Sequence, residues 1–182
     1  MNNAAAGSEP YEALVREAAE QAAGNGIFLM TGKQEKNPMT IGWCQWGVIW
    51  GMPVCTVLVR QTRYSHGLLE RDGVFTVCAP EKGTMKKDLA FCGSRSGRDM
   101  DKKAQLKLAT VPARAGGVDA LAGCALHFEC EVVFKLEMGG HMDTLAPEIR
   151  RRFYDPAAQE GEDGNPHTVY FGKIVAAYRA QQ

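Results

Sequence analysis

The chain has no net charge: 21 Lys and Arg are balanced by 21 Asp and Glu. Nucleic-acid binders carry a net basic field and anionic membranes attract one, so neither partner is expected. No stretch approaches the roughly 20 apolar residues of a membrane-spanning helix. The opening MNNAAAGSEPYEALVREAAEQAA lacks a basic stretch followed by an apolar one, so no secretory signal is expected there. No G-x-G-x-x-G follows a strand and there is no P-loop, which removes the two commonest glycine-loop nucleotide devices. The six cysteines, Cys44, Cys55, Cys78, Cys92, Cys124 and Cys130, form no C-x-x-C pair and fit no standard zinc spacing. Most lie in apolar runs, which suits reduced thiols packed as small hydrophobes in a cytoplasmic protein with no metal. No Ser/His/Asp or Cys/His set stands at an informative spacing, so nothing supports nucleophilic catalysis.

What is present is an ordinary globular composition, 45% hydrophobic and 23% charged over 182 residues. That suits one domain able to bury a core without disulfides. Ser8 can cap a helix and Pro10 fits its first turn. Tyr11, Leu14, Val15, Ala18, Ala19 and Ala22 then form one apolar stripe, stopped by Gly24-Asn25-Gly26. The N-terminal helix thus occupies 1–24. Short runs rich in β-branched and aromatic residues follow: Ile27–Met30, Met39–Trp50, Val54–Val59 and Val74–Cys78. Trp50-Gly51-Met52-Pro53 reads as a hairpin turn. Short helices are expected after Arg60, over Thr84–Phe91 and over Asp101–Leu108. Cys124–Leu136 alternates cleanly: Cys124, Leu126, Phe128, Cys130, Val132 and Phe134 share one face, and His127, Glu129 and Glu131 share a mostly polar other face. Period two predicts a half-exposed antiparallel strand. A last strand spans His167–Ala180. Between the two lies an insertion, 139–166, with a helix near Leu145–Tyr154 and an acidic loop from Gln159 to Pro166. Many strands with helices between them favour a closed antiparallel barrel with peripheral helices.

Three segments can carry chemistry. In Asn37-Pro38-Met39-Thr40-Ile41-Gly42-Trp43, Pro38 forces Asn37 to be extended. The Asn37 amide and the Thr40 hydroxyl then stand at a strand mouth, able to bond a heteroaromatic edge or simply to cap the strand. In Val59-Arg60-Gln61-Thr62-Arg63-Tyr64-Ser65-His66, arginines and hydroxyls meet a helix start, which is an anion site of the phosphate type or a plain helix cap. In Phe91-Cys92-Gly93-Ser94-Arg95-Ser96-Gly97-Arg98-Asp99-Met100-Asp101-Lys102-Lys103, a Gly/Ser-rich turn with cations leads into a helix, either an anion nest or a surface loop. Two such loops in one neutral chain point to a single anionic cofactor bridging them. Among the histidines, His141 follows Gly139-Gly140 at an expected barrel mouth. His66 and His127 read as exposed or capping residues, and His167 as structural. Arg150-Arg151-Arg152 reads as a solvated helix face.

The order NPMTIGW, VLVRQTRYSHGLLE, FTVCAP, FCGSRSGRDMDK, LHFECEVV, YFGKIVAAY resembles the flavin reductase-like family, closest to its flavoredoxin-like branch. The resemblance runs from Asn25 to Tyr178. It implies a mainly β fold with peripheral α-helices, the FMN-binding split β-barrel, as a single domain over 1–182. It also implies a homodimer holding FMN near the subunit interface. By position, Asn37, Met39 and Thr40 would approach the isoalloxazine and Trp43 would wall that site. Arg60, Thr62 and Ser65 would hold the phosphate side. Cys92, Ser96 and Lys102 of the second loop would add to phosphate or ribityl binding, and His141 and Phe171 would close the pocket. The implied activity is an FMN-binding oxidoreductase that uses NAD(P)H as substrate and reduces flavin or another acceptor. The alternative is a flavoredoxin-type electron-transfer protein with a protein redox partner and no NAD(P)H activity of its own.

Overall fold

The computed structural model describes residues 10–155 and 164–180. In chain order the elements are α1 (Tyr11–Gly24), β1 (Ile27–Thr31), β2 (Asn37–Ile41), β3 (Cys44–Ile49), β4 (Met52–Arg60), α2 (Tyr64–Asp72) and β5 (Val74–Pro80). There follow α3 (Lys86–Ser94), α4 (Lys102–Leu106), β6 (Thr110–Val111), β7 (Ala120–Leu121), β8 (Cys124–Glu137), a 3₁₀ turn (Gly139–His141), α5 (Pro147–Phe153) and β9 (His167–Arg179). α1 starts one residue after Pro10, which sits at the cap position without a side-chain bond; the expected Ser8 cap lies outside the described residues. Leu14, Ala18 and Ala22 are buried as the stripe requires, while Ala19 faces out. Of the acidic loop, 159–163 also lies outside the described residues.

Seven strands form one antiparallel sheet in the order β2-β1-β5-β8-β9-β4-β3. The expected single strand Met39–Trp50 is therefore two strands, β2 and β3, at opposite edges of the sheet. Gly42 and Trp43 are the break between them. Their link spans three Cα steps, at most about 11 Å, so the edges must approach and the sheet must curl into a split barrel. The Leu58 N–H donates to the Trp43 carbonyl (3.2 Å) and ties the link to β4. At the hairpin, Ile49 pairs with Met52, and Trp50 and Gly51 take φ of +53° and +70°. That is a two-residue turn of the kind that matches strand twist. The turn is shorter than expected, since Met52 and Pro53 already belong to β4.

The apolar runs of β1 and β5 are continuous because both faces are covered. Ile27, Leu29, Phe75 and Val77 pack into the barrel core with Phe128, Tyr170 and the α1 stripe. Phe28, Met30, Val74 and Cys78 pack outward against Leu89, Cys92, Val118 and Leu121. The same outer layer overturns the expectation of a half-exposed β8. Its first seven residues, Cys124–Cys130, are all buried, and exposure begins only at Glu131. The loop between β6 and β7 folds over the polar face. Glu129, fully buried, accepts from the backbone N–H of Arg114 and Ala115 (2.7 Å each), Gly116 (3.2 Å) and the Tyr178 hydroxyl (2.9 Å). Burial pushes the Glu129 carboxyl up, but these donors outweigh it and hold it below the usual carboxylate range. His127 is buried too, its ring edge to face with Tyr178 at 5.1 Å. His66 is half-buried, its Nε2 3.1 Å from the Thr168 hydroxyl.

Gly172 on β9 lets the core side chains of β5 and β8 press against its backbone. A Cβ there would lie 2.6 Å from Phe75 Cε1 and 2.8 Å from Cys130 Cβ, whereas one at Gly47 on β3 would meet nothing within 4 Å. Overpacking a core costs about 1–3 kcal/mol. Urea denaturation should show Gly172→Ala losing that much stability and Gly47→Ala losing far less.

Candidate functional site

The break between β2 and β3 opens into a groove with two compartments. The first, about 220 Å³, is lined by Met39, Thr40, Trp43, Leu58, Arg60 and His167. The second, about 380 Å³, is lined by Arg63, Ser65, Arg95, Ser96, Arg98 and Lys102. Met39, Arg63 and Gly93 line both, so the two are continuous. Together they fall within the roughly 300–1,000 Å³ of ordinary small-molecule sites.

The second compartment is built for an anion. Lys102, in the first turn of α4, is only 3% exposed. Its Nζ donates to one acceptor, the Cys92 carbonyl at 3.3 Å. Two of its three donors have no acceptor among the described residues. Burial pulls the Lys102 pKa down, the Cys92 thiol pulls it up, and nearby Arg63 lowers it further. An uncompensated buried ammonium is costly, so an anion in the compartment would be stabilising. Across from it, Ser65 in the first turn of α2 is buried and accepts from Asn37 Nδ2 (2.9 Å) and Thr31 Oγ1 (3.0 Å). These bonds fix the Ser65 hydroxyl at the helix start, where the residue lines the groove. The first N–H groups of α2 have no intrahelical acceptor, so the helix start adds further donors. Ser96 Oγ accepts from the Arg98 N–H (3.2 Å), and the Arg98 side chain donates to the Thr62 carbonyl (2.9 Å). That bond joins the two anion-type loops. Asp101 caps α4 by accepting from the N–H of Lys103 and Ala104.

The first compartment is flatter and more apolar. Met39 is buried beside Leu58, and Trp43 stands against Phe153 and His167 at centroid distances of 5.0 and 4.9 Å. Thr40 donates its hydroxyl to the Leu89 carbonyl (2.6 Å), which fixes β2 on α3. Burial, with Arg60 and Arg63 nearby, pushes His167 down to about 4, so its ring is neutral. Cys92 is buried, and its thiol is pushed up to about 11 by burial; its contribution to the site is its carbonyl.

The groove thus gathers Asn37, Met39, Thr40, Trp43, Thr62, Ser65, Cys92, Ser96 and Lys102. Arg60 departs from its expected place. It lines the flat compartment rather than the anionic one, and its guanidinium donates to the carbonyls of Phe153 (2.9 Å), Asn165 (2.7 Å) and Gly164 (3.3 Å). Those bonds bind the insertion to the barrel. His141 is exposed on its 3₁₀ turn and lines neither compartment. Phe171 is half-buried on β9, its ring 5.4 Å from Phe134 and 6.1 Å from Trp50. Neither residue reaches the groove of its own chain. Sequence reasoning did not single out Arg63, His167 and Tyr154. Arg63 stood beside Arg60 with nothing to rank one over the other, and His167 gains meaning only from the Trp43 and Tyr154 rings that packing brings to it.

A family model described as the flavin reductase like domain matches residues 21–182. An uncharacterized protein of Archaeoglobus fulgidus is 28% identical over 135 residues, 74% of this chain and 75% of its own length. Flavoredoxin from Methanosarcina acetivorans superposes with a TM-score of 0.61 at 24% identity, over 86% of this chain and 69% of its own. The NADH:FAD oxidoreductase of Streptomyces globisporus superposes with a TM-score of 0.61 at 18% identity, over 97% of this chain and 89% of its own. At such identities the structural likeness carries the fold, a split β-barrel with peripheral helices.

The Arg60 tie predicts a separable effect. Each charged hydrogen bond contributes about 1.5–3 kcal/mol, and Arg60→Met removes three while keeping the side-chain bulk. Limited proteolysis should cut the segment between β8 and β9 several-fold faster in this variant, with the barrel left intact.

Proposed function

Because this chain belongs to the flavin reductase-like family, we propose that it is an FMN-dependent oxidoreductase, taking hydride from NAD(P)H and passing electrons to a flavin or another acceptor. The observation that supports this most is Lys102, a buried ammonium with one backbone acceptor, at the more enclosed end of a groove whose other end is flatter and less polar. Lys102 Nζ, the Ser65 hydroxyl, Ser96 and the first N–H groups of α2 would hold the phosphate. Met39, Leu58 and Trp43 would wall the isoalloxazine and exclude water, with Asn37 and Thr40 at the β2 side. FMN, when bound, supplies the acceptor for hydride and the donor for one or two electrons. Arg63, which lines both compartments, favours negative charge in either. The reading extends to a cytoplasmic homodimer. Trp50 of the hairpin turn, Phe134 of β8 and Phe171 of β9 form a ring cluster, with Val48 of β3 and Val133 of β8 exposed as well. A second copy would cover such an apolar patch.

The purified protein should show the two visible absorption bands of a flavin, and NADH or NADPH should bleach them without oxygen. Bleaching only by a reduced protein donor would assign the electron-transfer role instead. Lys102→Ala should weaken FMN about 10- to 100-fold, from about 1.5–3 kcal/mol of charged hydrogen bonding, and leave riboflavin affinity nearly unchanged. In sedimentation equilibrium, Trp50→Ser with Phe134→Ser should shift a dimer to monomer; an unshifted mass would remove this face from the interface.

A further inference from the structure

The insertion places one buried polar pair against the flat compartment. Tyr154, just after α5, is 3% exposed, and its hydroxyl is 2.8 Å from Nδ1 of His167, the first residue of β9. The two rings meet edge to face at 5.5 Å. On the compartment side His167 stands against Trp43, and the residue lines the cavity. His167 Nε2 has no hydrogen-bond partner among the described residues. Tyr154 is itself held: its N–H donates to the Arg150 carbonyl (2.8 Å), and the Arg60 guanidinium lies 5.4 Å from its ring centre. Arg60 is in turn fixed by the carbonyls of Phe153 and Asn165.

The Tyr154 hydroxyl has two polar partners in reach, Nδ1 of His167 at 2.8 Å and the Met138 thioether at 3.8 Å. Were Nδ1–H the donor, the buried phenol proton would be left only the thioether, a weak acceptor; with the O–H on Nδ1 it makes one short, strong bond, and that arrangement is favoured. A neutral ring that accepts at Nδ1 carries its own proton on Nε2. The charged groups facing the ring are Arg60 and Arg63, both cations; they and burial keep it neutral through the physiological range. We propose that Tyr154 is a positioning residue that fixes His167 as the Nε2–H tautomer, a neutral hydrogen-bond donor to a carbonyl oxygen on the heteroaromatic edge of the compartment's occupant. The nitrogen lone pair is turned away to Tyr154, so His167 donates and does not act as a base. The identity of that occupant rests on the flavin reading above; the tautomer does not.

Nitrogen-15 NMR of the histidine-labelled protein, before any flavin is added, tests this. The chain has four histidines, and the His167 signals are those lost in His167→Gln. Nε2 should appear as a protonated nitrogen and Nδ1 as an unprotonated, hydrogen-bonded one, with no titration between about pH 5 and 8. Tyr154→Phe keeps the ring and removes the donor, and should give a mixture of both tautomers. In flavin-loaded protein the same variant should shift the flavin absorption bands, with phosphate-end affinity retained. An Nδ1–H tautomer in the unsubstituted protein, a ring that titrates in that window, or an unchanged tautomer in Tyr154→Phe would overturn the proposal. Failure to bind flavin would instead remove the reading of the compartment and leave the tautomer result standing.

Discussion

Gly42 and Trp43 are all the chain that separates the two edges of a seven-stranded sheet. A link of two residues cannot cross a flat sheet that wide, since strands lie about 4.8 Å apart and six spacings separate the edges. The sheet must therefore roll until β2 and β3 lie near each other, and the unpaired seam between them becomes the groove. Trp43 sits in that seam by necessity, which is why a large, partly exposed indole walls the flat compartment rather than the core. The strand ends that meet the seam, Asn37 to Ile41 and Leu58 to Arg60, bring Met39, Thr40 and the first loop with them. Geometry set by chain length thus precedes any choice of chemistry at the site.

What could be read from the sequence follows from how local each signal is. The helices after Arg60 and around Lys102, the hairpin at Trp50-Gly51 and the strands β5, β8 and β9 carry their own punctuation, and they occur close to where the pattern put them. The two anion-type loops were legible for the same reason: backbone donors, hydroxyls and cations lie within a few residues of each other. The β2–β3 break was not, because Met39–Trp50 is apolar and β-prone throughout, and only the wider sheet decides that Gly42-Trp43 must turn a corner. The buried polar face of β8 was hidden for a related reason. His127 and Glu129 look like solvent positions until a loop 13 to 15 residues away supplies three N–H donors. The tie that Arg60 makes to the insertion is invisible locally because its acceptors, the carbonyls of Phe153, Gly164 and Asn165, lie about a hundred residues on. No spacing rule links them.

A chain with equal numbers of both charges can still hold a strongly positive pocket, because placement matters more than sum. Carboxylates on the surface find partners there: Glu35 and Asp72 meet Arg71, and Glu70 meets Lys135. Such exposed pairs add little to stability. The groove holds cations of another kind. Arg63, Arg95, Arg98 and Lys102 share one compartment with a single exposed carboxylate, Asp99, so their field is left for a ligand. The flat compartment beside it has cations of its own, Arg60 and Arg63, of which Arg63 also lines the anionic one. His167 stays neutral there, since Arg60 and Arg63 already oppose a proton on its ring. Negative charge is thus favoured along the whole groove, most strongly where Lys102 is buried. Such a graded field suits a ligand whose permanent negative charge lies beside Lys102.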